Sequence, residues 1–207
     1  MIIDIRQDIK ELYSAEFTVY RGQNAVGGFS VQGSMVSIEA DVGGKFLTDN
    51  IAIGHKNIDI LNVKKPFRPY IILCNGVESG VVYHTESGGG LKSYSFKQMQ
   101  YKGMTYDCFS FGFGKEGGKE QIYSGSSLLA QIDTESIVYY DLHNYRIYAV
   151  DEYSAKLAVL FGMYGYVTCA FEPGKKIVSG KTKYYSKTLN KDLMAKYNSN
   201  FAGEITL

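Results

Sequence analysis

From Leu157 to Phe171 the chain runs for 15 residues without a charge: Leu-Ala-Val-Leu-Phe-Gly-Met-Tyr-Gly-Tyr-Val-Thr-Cys-Ala-Phe. Asp151 stands ahead of it as an N-cap candidate, and Pro173-Gly174 follows as a stop signal, so residues 151–171 read as one helix. Wound at roughly 100° per residue, its apolar side chains point in every direction instead of along one stripe. A helix apolar all round has to be buried on all sides. Crossing a bilayer takes about 20 apolar residues. This run has 15, two of them glycine and three of them tipped with a hydroxyl, so it is predicted to fill a core and not to span a membrane.

What surrounds such a helix is legible upstream. From Ile2 to Val150 the chain breaks into short segments, many alternating, with turn signals every 8 to 12 residues or so, the spacing of a sandwich or barrel. In Val36–Val42 the residues Val36, Ile38, Ala40 and Val42 share one face while Ser37, Glu39 and Asp41 share the other, a period that no helix satisfies. Further runs include Phe17–Tyr20, Phe29–Gln32, Ile51–His55, Ile58–Val63, Tyr70–Cys74, Tyr94–Gln98, Met104–Phe113 and Ile137–Asp141. Turns are predicted at Asp41-Val42-Gly43-Gly44, Asn75-Gly76, Ser87–Gly90, Lys102-Gly103 and Lys115–Lys119. Tyr (18) and Gly (23) are abundant and Pro (3) is scarce, as pleated strands joined by glycine turns require. Val19-Tyr20-Arg21-Gly22 is echoed by Ile122-Tyr123-Ser124-Gly125 half a chain later, a match that hairpin grammar alone produces readily.

A one-stripe helix suits the outside of a sandwich; a helix apolar all round suits the middle of a closed barrel. The prediction is therefore a mainly β, single-domain protein over residues 1–207. About twelve strands (2–150) form a closed barrel around a central hydrophobic helix (151–171), with a basic C-terminal extension (172–207). At 207 residues folding hides about 70% of the unfolded chain's surface, so a core is readily built. The extension carries seven lysines against three carboxylates and no arginine. Within it Leu189, Leu193, Tyr197 and Phe201 recur every four residues, which predicts a short amphipathic helix, capped by Ser186 or Thr188, docking on the barrel.

Several short stretches resemble the tubby C-terminal-like superfamily, which includes tubby-like proteins, LURP-one-related proteins and phospholipid scramblases. Ile5-Arg6-Gln7, then Phe17-Thr18-Val19-Tyr20, then Phe29-Ser30-Val31-Gln32-Gly33 are similar to the opening of bacterial LURP-one-like chains, and Ile147–Glu152 is similar to the stretch before their late helix. The resemblance spans roughly residues 2–171. It departs at Arg21-Gly22-Gln23-Asn24, where an acidic turn is commoner, and is poor from Ile51 to Gly90. It implies a twelve-stranded barrel threaded by a hydrophobic helix. It also implies phosphoinositide recognition by basic residues on the barrel surface, which do not map one by one onto this chain.

Chemistry is sparse. The net charge of +1, from 22 Lys and Arg against 21 Asp and Glu, argues against nucleic acid as a partner. Cys74, Cys108 and Cys169 lie more than 30 residues apart with no Cys-x-x-Cys pair; they read as reduced, buried thiols, neither metal ligands nor a disulfide framework. Asp4 and Arg6 interrupt the first apolar stretch, against a secretory signal, so a cytoplasmic protein is expected. Gly112-Phe113-Gly114-Lys115-Glu116-Gly117 spells the dinucleotide fingerprint but runs on into a strand, and so reads as a glycine hairpin. Ser30 lacks the closing glycine of a nucleophile elbow, and His84-Thr85-Glu86 lacks the cysteines of a zinc deaminase. No cofactor or metal is called for. The expectation is a non-enzymatic intracellular binding or scaffold protein. Two alternatives stand beside it. One is peripheral attachment to an anionic membrane through Lys175, Lys176, Lys181 and Lys183, with Tyr184-Tyr185 at the interface. The other is an enzyme with its site at the barrel mouth, where His55, His84 or His143 meet carboxylates. A protein partner would also use the tyrosine-rich surface.

Overall fold

A computed structural model describes residues 1–33, 41–46, 49–55 and 67–206. In chain order the strands are β1 (Ile2–Lys10), β2 (Ser14–Arg21), β3 (Asn24–Gln32), β4 (Asp41–Phe46), β5 (Asp49–His55), β6 (Phe67–Cys74) and β7 (Val77–Ser87). They continue as β8 (Tyr94–Tyr101), β9 (Met104–Gly112), β10 (Gly118–Ser124), β11 (Ser127–Thr134), β12 (Ile137–Tyr139) and β13 (Asn144–Ala149). Then come α1 (Glu152–Gly165), β14 (Lys181–Lys183), α2 (Lys191–Met194) and α3 (Phe201–Thr206).

The protein is mainly β, with one large antiparallel sheet. Every strand from β1 to β11 pairs with its neighbour in sequence, and β13 pairs with β11. β1 pairs with β2 on one side and with β13 on the other. β12 stands apart and forms a two-stranded ribbon with β14.

Two sequence expectations change here. Asp41–Gly44 is not a turn but the first four residues of β4, because Val42 and both glycines are laddered to Val31–Phe29 on one side and Ile53–Ile51 on the other. Ile137–Asp141 belongs to the ribbon and not to the sheet, since Tyr140 and Asp141 take left-handed backbone angles (φ of 56° and 57°) that end the strand after Tyr139. The alternating run Val36–Val42 lies mostly outside the described residues, and Ile58–Val63 lies wholly outside them. The two echoed segments are the same device. Each opens a hairpin whose return strand carries one extra residue, Val26 or Leu129, and whose loop begins with a left-handed glycine, Gly22 (φ 63°) or Gly125 (φ 59°).

Inward residues of these strands meet the helix in a single apolar core. Ala155 and every residue from Leu157 to Tyr164 are buried, which places α1 against side chains on all its faces. Asp151 caps it, its carboxylate accepting the Ser154 N–H at 2.7 Å. The α-helix ends at Gly165, and Tyr166–Ala170 form a wider π turn, closed by the Phe171 N–H donating to the Tyr166 carbonyl at 2.8 Å.

The tail docks, but not as one amphipathic helix. α2 and α3 are short and separate, and Leu189 is 80% exposed. The α2 cap is Asn190, which accepts the Leu193 N–H at 2.9 Å, while Thr188 Oγ1 accepts the Gly112 N–H at 2.8 Å. Leu193 and Tyr197 cover an aromatic face on the outside of β8–β10 that includes Phe96, Phe109, Phe111 and Phe113. Gln121 clasps the tail by donating to the Asn198 carbonyl at 2.7 Å and accepting the Asn198 N–H at 2.9 Å. The glycine fingerprint is a β9–β10 connection. At Gly112 a Cβ would sit 2.6 Å from the Ser186 carbonyl oxygen, so the tail backbone crosses there only because the side chain is missing.

Candidate functional site

The irregular features of the fold collect at the end of the sheet where α1 terminates. In β1 the residues Ile3, Ile5 and Gln7 point inward and are buried. Gln7 lies opposite Phe17 but Ile9 lies opposite Glu16, so β1 carries one extra residue, a bulge at Asp8. A one-residue insertion exchanges the two faces of a strand. Ile9 is therefore turned outward, 43% exposed, and Lys10, opposite the fully buried Ala15, is turned inward.

Lys10 Nζ lies 4.0 Å from the centre of the Phe171 ring and 5.9 Å from that of Tyr166. The atom is closed to solvent and has no hydrogen-bond acceptor among the described residues. Burial pushes the Lys10 pKa below its ordinary value, against the opposing pull of Asp141 and Glu172. Neither carboxylate binds it directly. Asp141 accepts the Val178 N–H at 2.8 Å, and Glu172 pairs with Lys175 at 2.8 Å.

Gln7 ties the floor of this region together. Its amide donates to the Tyr166 hydroxyl at 2.9 Å and accepts the His143 N–H at 2.9 Å. The His143 ring sits 5.6 Å from both Tyr166 and Tyr184, and burial pushes its pKa down to about 4, so it is neutral at pH 7. Above the floor is a recess of about 250 Å³ whose walls include Lys10, Asp141, Glu172, Lys175, Lys176 and Thr182.

Deeper in the same end lies an ion pair. Lys97 points inward from β8 with its side chain 6% exposed, and its Nζ lies 2.6 and 2.7 Å from the two carboxylate oxygens of Glu120. Ser110 donates to Glu120 at 3.0 Å, and the Cys108 thiol lies 3.8 Å from it. Burial is the largest influence on Lys97 and lowers its pKa, but the charge and hydrogen bonds of Glu120 outweigh it and the net shift is upward. Burial also pushes the Cys108 thiol well above its ordinary value. Both groups are thus held in their protonated forms, as befits structure and not nucleophilic attack. A Cβ on Gly165 would come within 2.8 Å of Lys97 Nζ, so this helix glycine makes room for the ammonium.

Of the four predicted site lysines, Lys175 and Lys176 line the recess, whereas Lys181 and Lys183 lie on the other side of the ribbon. Cross-strand partners share a face. Val138, 2% exposed, opposes Thr182 on the inner side, and Ile137 and Tyr139 oppose Lys183 and Lys181 on the outer side. The two histidines whose side chains are described, His84 and His143, do not converge. His84 stacks near Tyr164 with centroids 5.3 Å apart, His143 lies against Tyr166, and of His55 only the backbone, in β5, is described. All three cysteines are free, but only Cys108 is buried; Cys169 is exposed, against expectation, because the π turn carries it to the rim. Among the described residues no group of three His, Cys, Asp or Glu side chains is placed to hold a metal, and no helix is long and apolar enough to cross a membrane.

Sequence reasoning missed Lys10, Lys97 and Glu120. The pair had a signal: on an alternating strand, Lys97 shares a face with Met99 and Tyr101. Lys10 had none, because its direction depends on a bulge. In comparisons with known proteins, no family model, no curated protein and no solved structure matches this chain.

Proposed function

We propose that the chain is a tubby-like, twelve-stranded closed barrel threaded by α1 that acts as an intracellular binding module and not as an enzyme, attaching peripherally to anionic membranes. The closed order of strand pairing and the helix buried on all faces support the architecture. With that helix packed inside the sheet, binding falls to the outer surface. The observation that carries the membrane reading is the outer face of the β12–β14 ribbon. Lys181 and Lys183 stand there beside Tyr139, 56% exposed, and Tyr185, 45% exposed. Lysines contribute about 1 kcal/mol each at an anionic surface, and tyrosine suits the headgroup layer. Lys175 belongs to this attraction less than the sequence suggests, because Glu172 already pairs with it.

Sedimentation with phosphatidylserine-containing and pure phosphatidylcholine vesicles tests the proposal. Binding to the anionic vesicles alone is expected, weakening with salt, and falling tenfold or more in a Lys181→Glu, Lys183→Glu variant. Equal binding to neutral vesicles, or no effect of the charge reversal, refutes it.

A further inference from the structure

The bulge in β1 turns an isoleucine out to water and a lysine in beneath the recess, the reverse of what core packing favours. The ammonium so placed lies on the face of Phe171, which stabilises its charge, yet supplies no acceptor for its three N–H groups. Buried polar groups left without partners are rare, and a missing ligand is one of the few physical reasons for them.

We propose that the recess beside Lys10 binds a small organic monocarboxylate, attracted by the charge of the Lys10 ammonium that lies closed to solvent beneath it. The charge of the walls selects the class. Lys10, Lys175 and Lys176 face Asp141 and Glu172, leaving one net positive charge, which a carboxylate neutralises and a phosphate dianion overshoots. The volume of about 250 Å³ admits a molecule of benzoate size. Ala170 and Val178 give the recess an apolar side for the ligand's hydrocarbon part, and Thr182 adds a hydroxyl on the inner face of the ribbon. This site is separate from the outer ribbon face proposed above, and neither depends on the other.

Calorimetric titration of the whole chain with sodium benzoate, sodium acetate and inorganic phosphate, at constant ionic strength and pH 7, tests it. Benzoate is expected to bind one to one, more tightly than acetate and phosphate. Lys10→Met, which keeps the aliphatic stem over Phe171, should weaken benzoate at least tenfold. Val178→Trp, which fills the recess from its exposed rim, should abolish binding without touching the core, and so tests the site even if the Lys10 variant does not fold. Vesicle binding should be unchanged in both variants, and benzoate binding unchanged in the Lys181→Glu, Lys183→Glu variant. The proposal is overturned if benzoate fails to bind, if phosphate binds more tightly than benzoate, or if both recess variants bind benzoate like the parent.

Discussion

Replacing Lys97 with Met removes the ammonium while keeping most of the stem that packs beside Gly165, so the change isolates charge from volume. Among the described residues the Glu120 carboxylate, 16% exposed, then keeps the Ser110 hydroxyl and the distant Cys108 thiol as donors. Breaking a buried pair by deleting one partner costs about 3–5 kcal/mol. In a chain of 207 residues each kcal/mol moves Tm by about 2–4 °C, so the variant should melt about 6–20 °C below the parent. Removing both charges, as Lys97→Met with Glu120→Leu, abolishes the uncompensated carboxylate and should return stability to within about 1 kcal/mol of the parent. The pH dependence has a definite sign. Lys97 titrates above its ordinary 10.5 in the folded state, so its contribution is complete below pH 10.5 and is lost as pH rises through the higher folded value. Urea unfolding followed by circular dichroism, at pH 8 and again above pH 10.5, measures all of this, with unchanged m-values as the control. A single variant within 1 kcal/mol of the parent, or a double variant at the sum of two damaging singles, would refute the account of this pair.

Three further outcomes are expected. Gln7→Leu strips the Tyr166 hydroxyl and the His143 N–H of their partner and should cost about 1–3 kcal/mol in the same unfolding assay. Phe109→Ala, under the tail, should cost about 3–5 kcal/mol and raise dye binding to the uncovered aromatic face. His143 titrates near 4 when folded and near 6.5 when unfolded, so the unfolded state takes up its proton first. Stability should therefore fall as pH drops from 6.5 toward 4, by up to about 3 kcal/mol, and His143→Phe should flatten that slope in thermal melts. Asp141 and Lys10 are the charged groups acting on that ring, one raising and one lowering its pKa.

Much of the architecture was readable from periodicity because it rests on local patterns. The Asp151 cap, the all-round burial of Leu157–Tyr164 and the hairpins at Asn75-Gly76 and Lys102-Gly103 each follow from a few adjacent residues. What was not readable depends on partners far away in sequence. Asp41–Gly44 has turn composition yet is a strand, because ladders on both sides supply what its own side chains do not. Leu189, Leu193, Tyr197 and Phe201 share a helical spacing, yet the tail breaks between α2 and α3, where Gln121 takes both backbone groups of Asn198. Of the four site lysines the sequence supplied identity but not direction: alternation along a three-residue ribbon sends Lys181 and Lys183 away from Lys175 and Lys176.

Direction is what the fold's irregularities control, and they gather at one end. The β1 bulge re-aims Lys10, the π turn brings Phe171 beneath it and Cys169 to the rim, and consecutive left-handed residues at Tyr140 and Asp141 swing a carboxylate over the recess. Elsewhere the non-glycine left-handed residues, Asn75 and Lys102, sit in two-residue hairpin turns that ask for that conformation. Tyr140 and Asp141 sit in the same kind of turn, the Leu142 N–H donating to the Tyr139 carbonyl at 3.0 Å across a Tyr139–Leu142 bridge. A bulge and a π turn meeting around one unsatisfied ammonium are hard to ascribe to packing, since plain alternation would have buried Ile9 and left Lys10 in water. The order of effects then runs from a single extra residue at Asp8, through the exchange of faces in β1, to a cation whose natural complement is an acceptor brought from outside the chain.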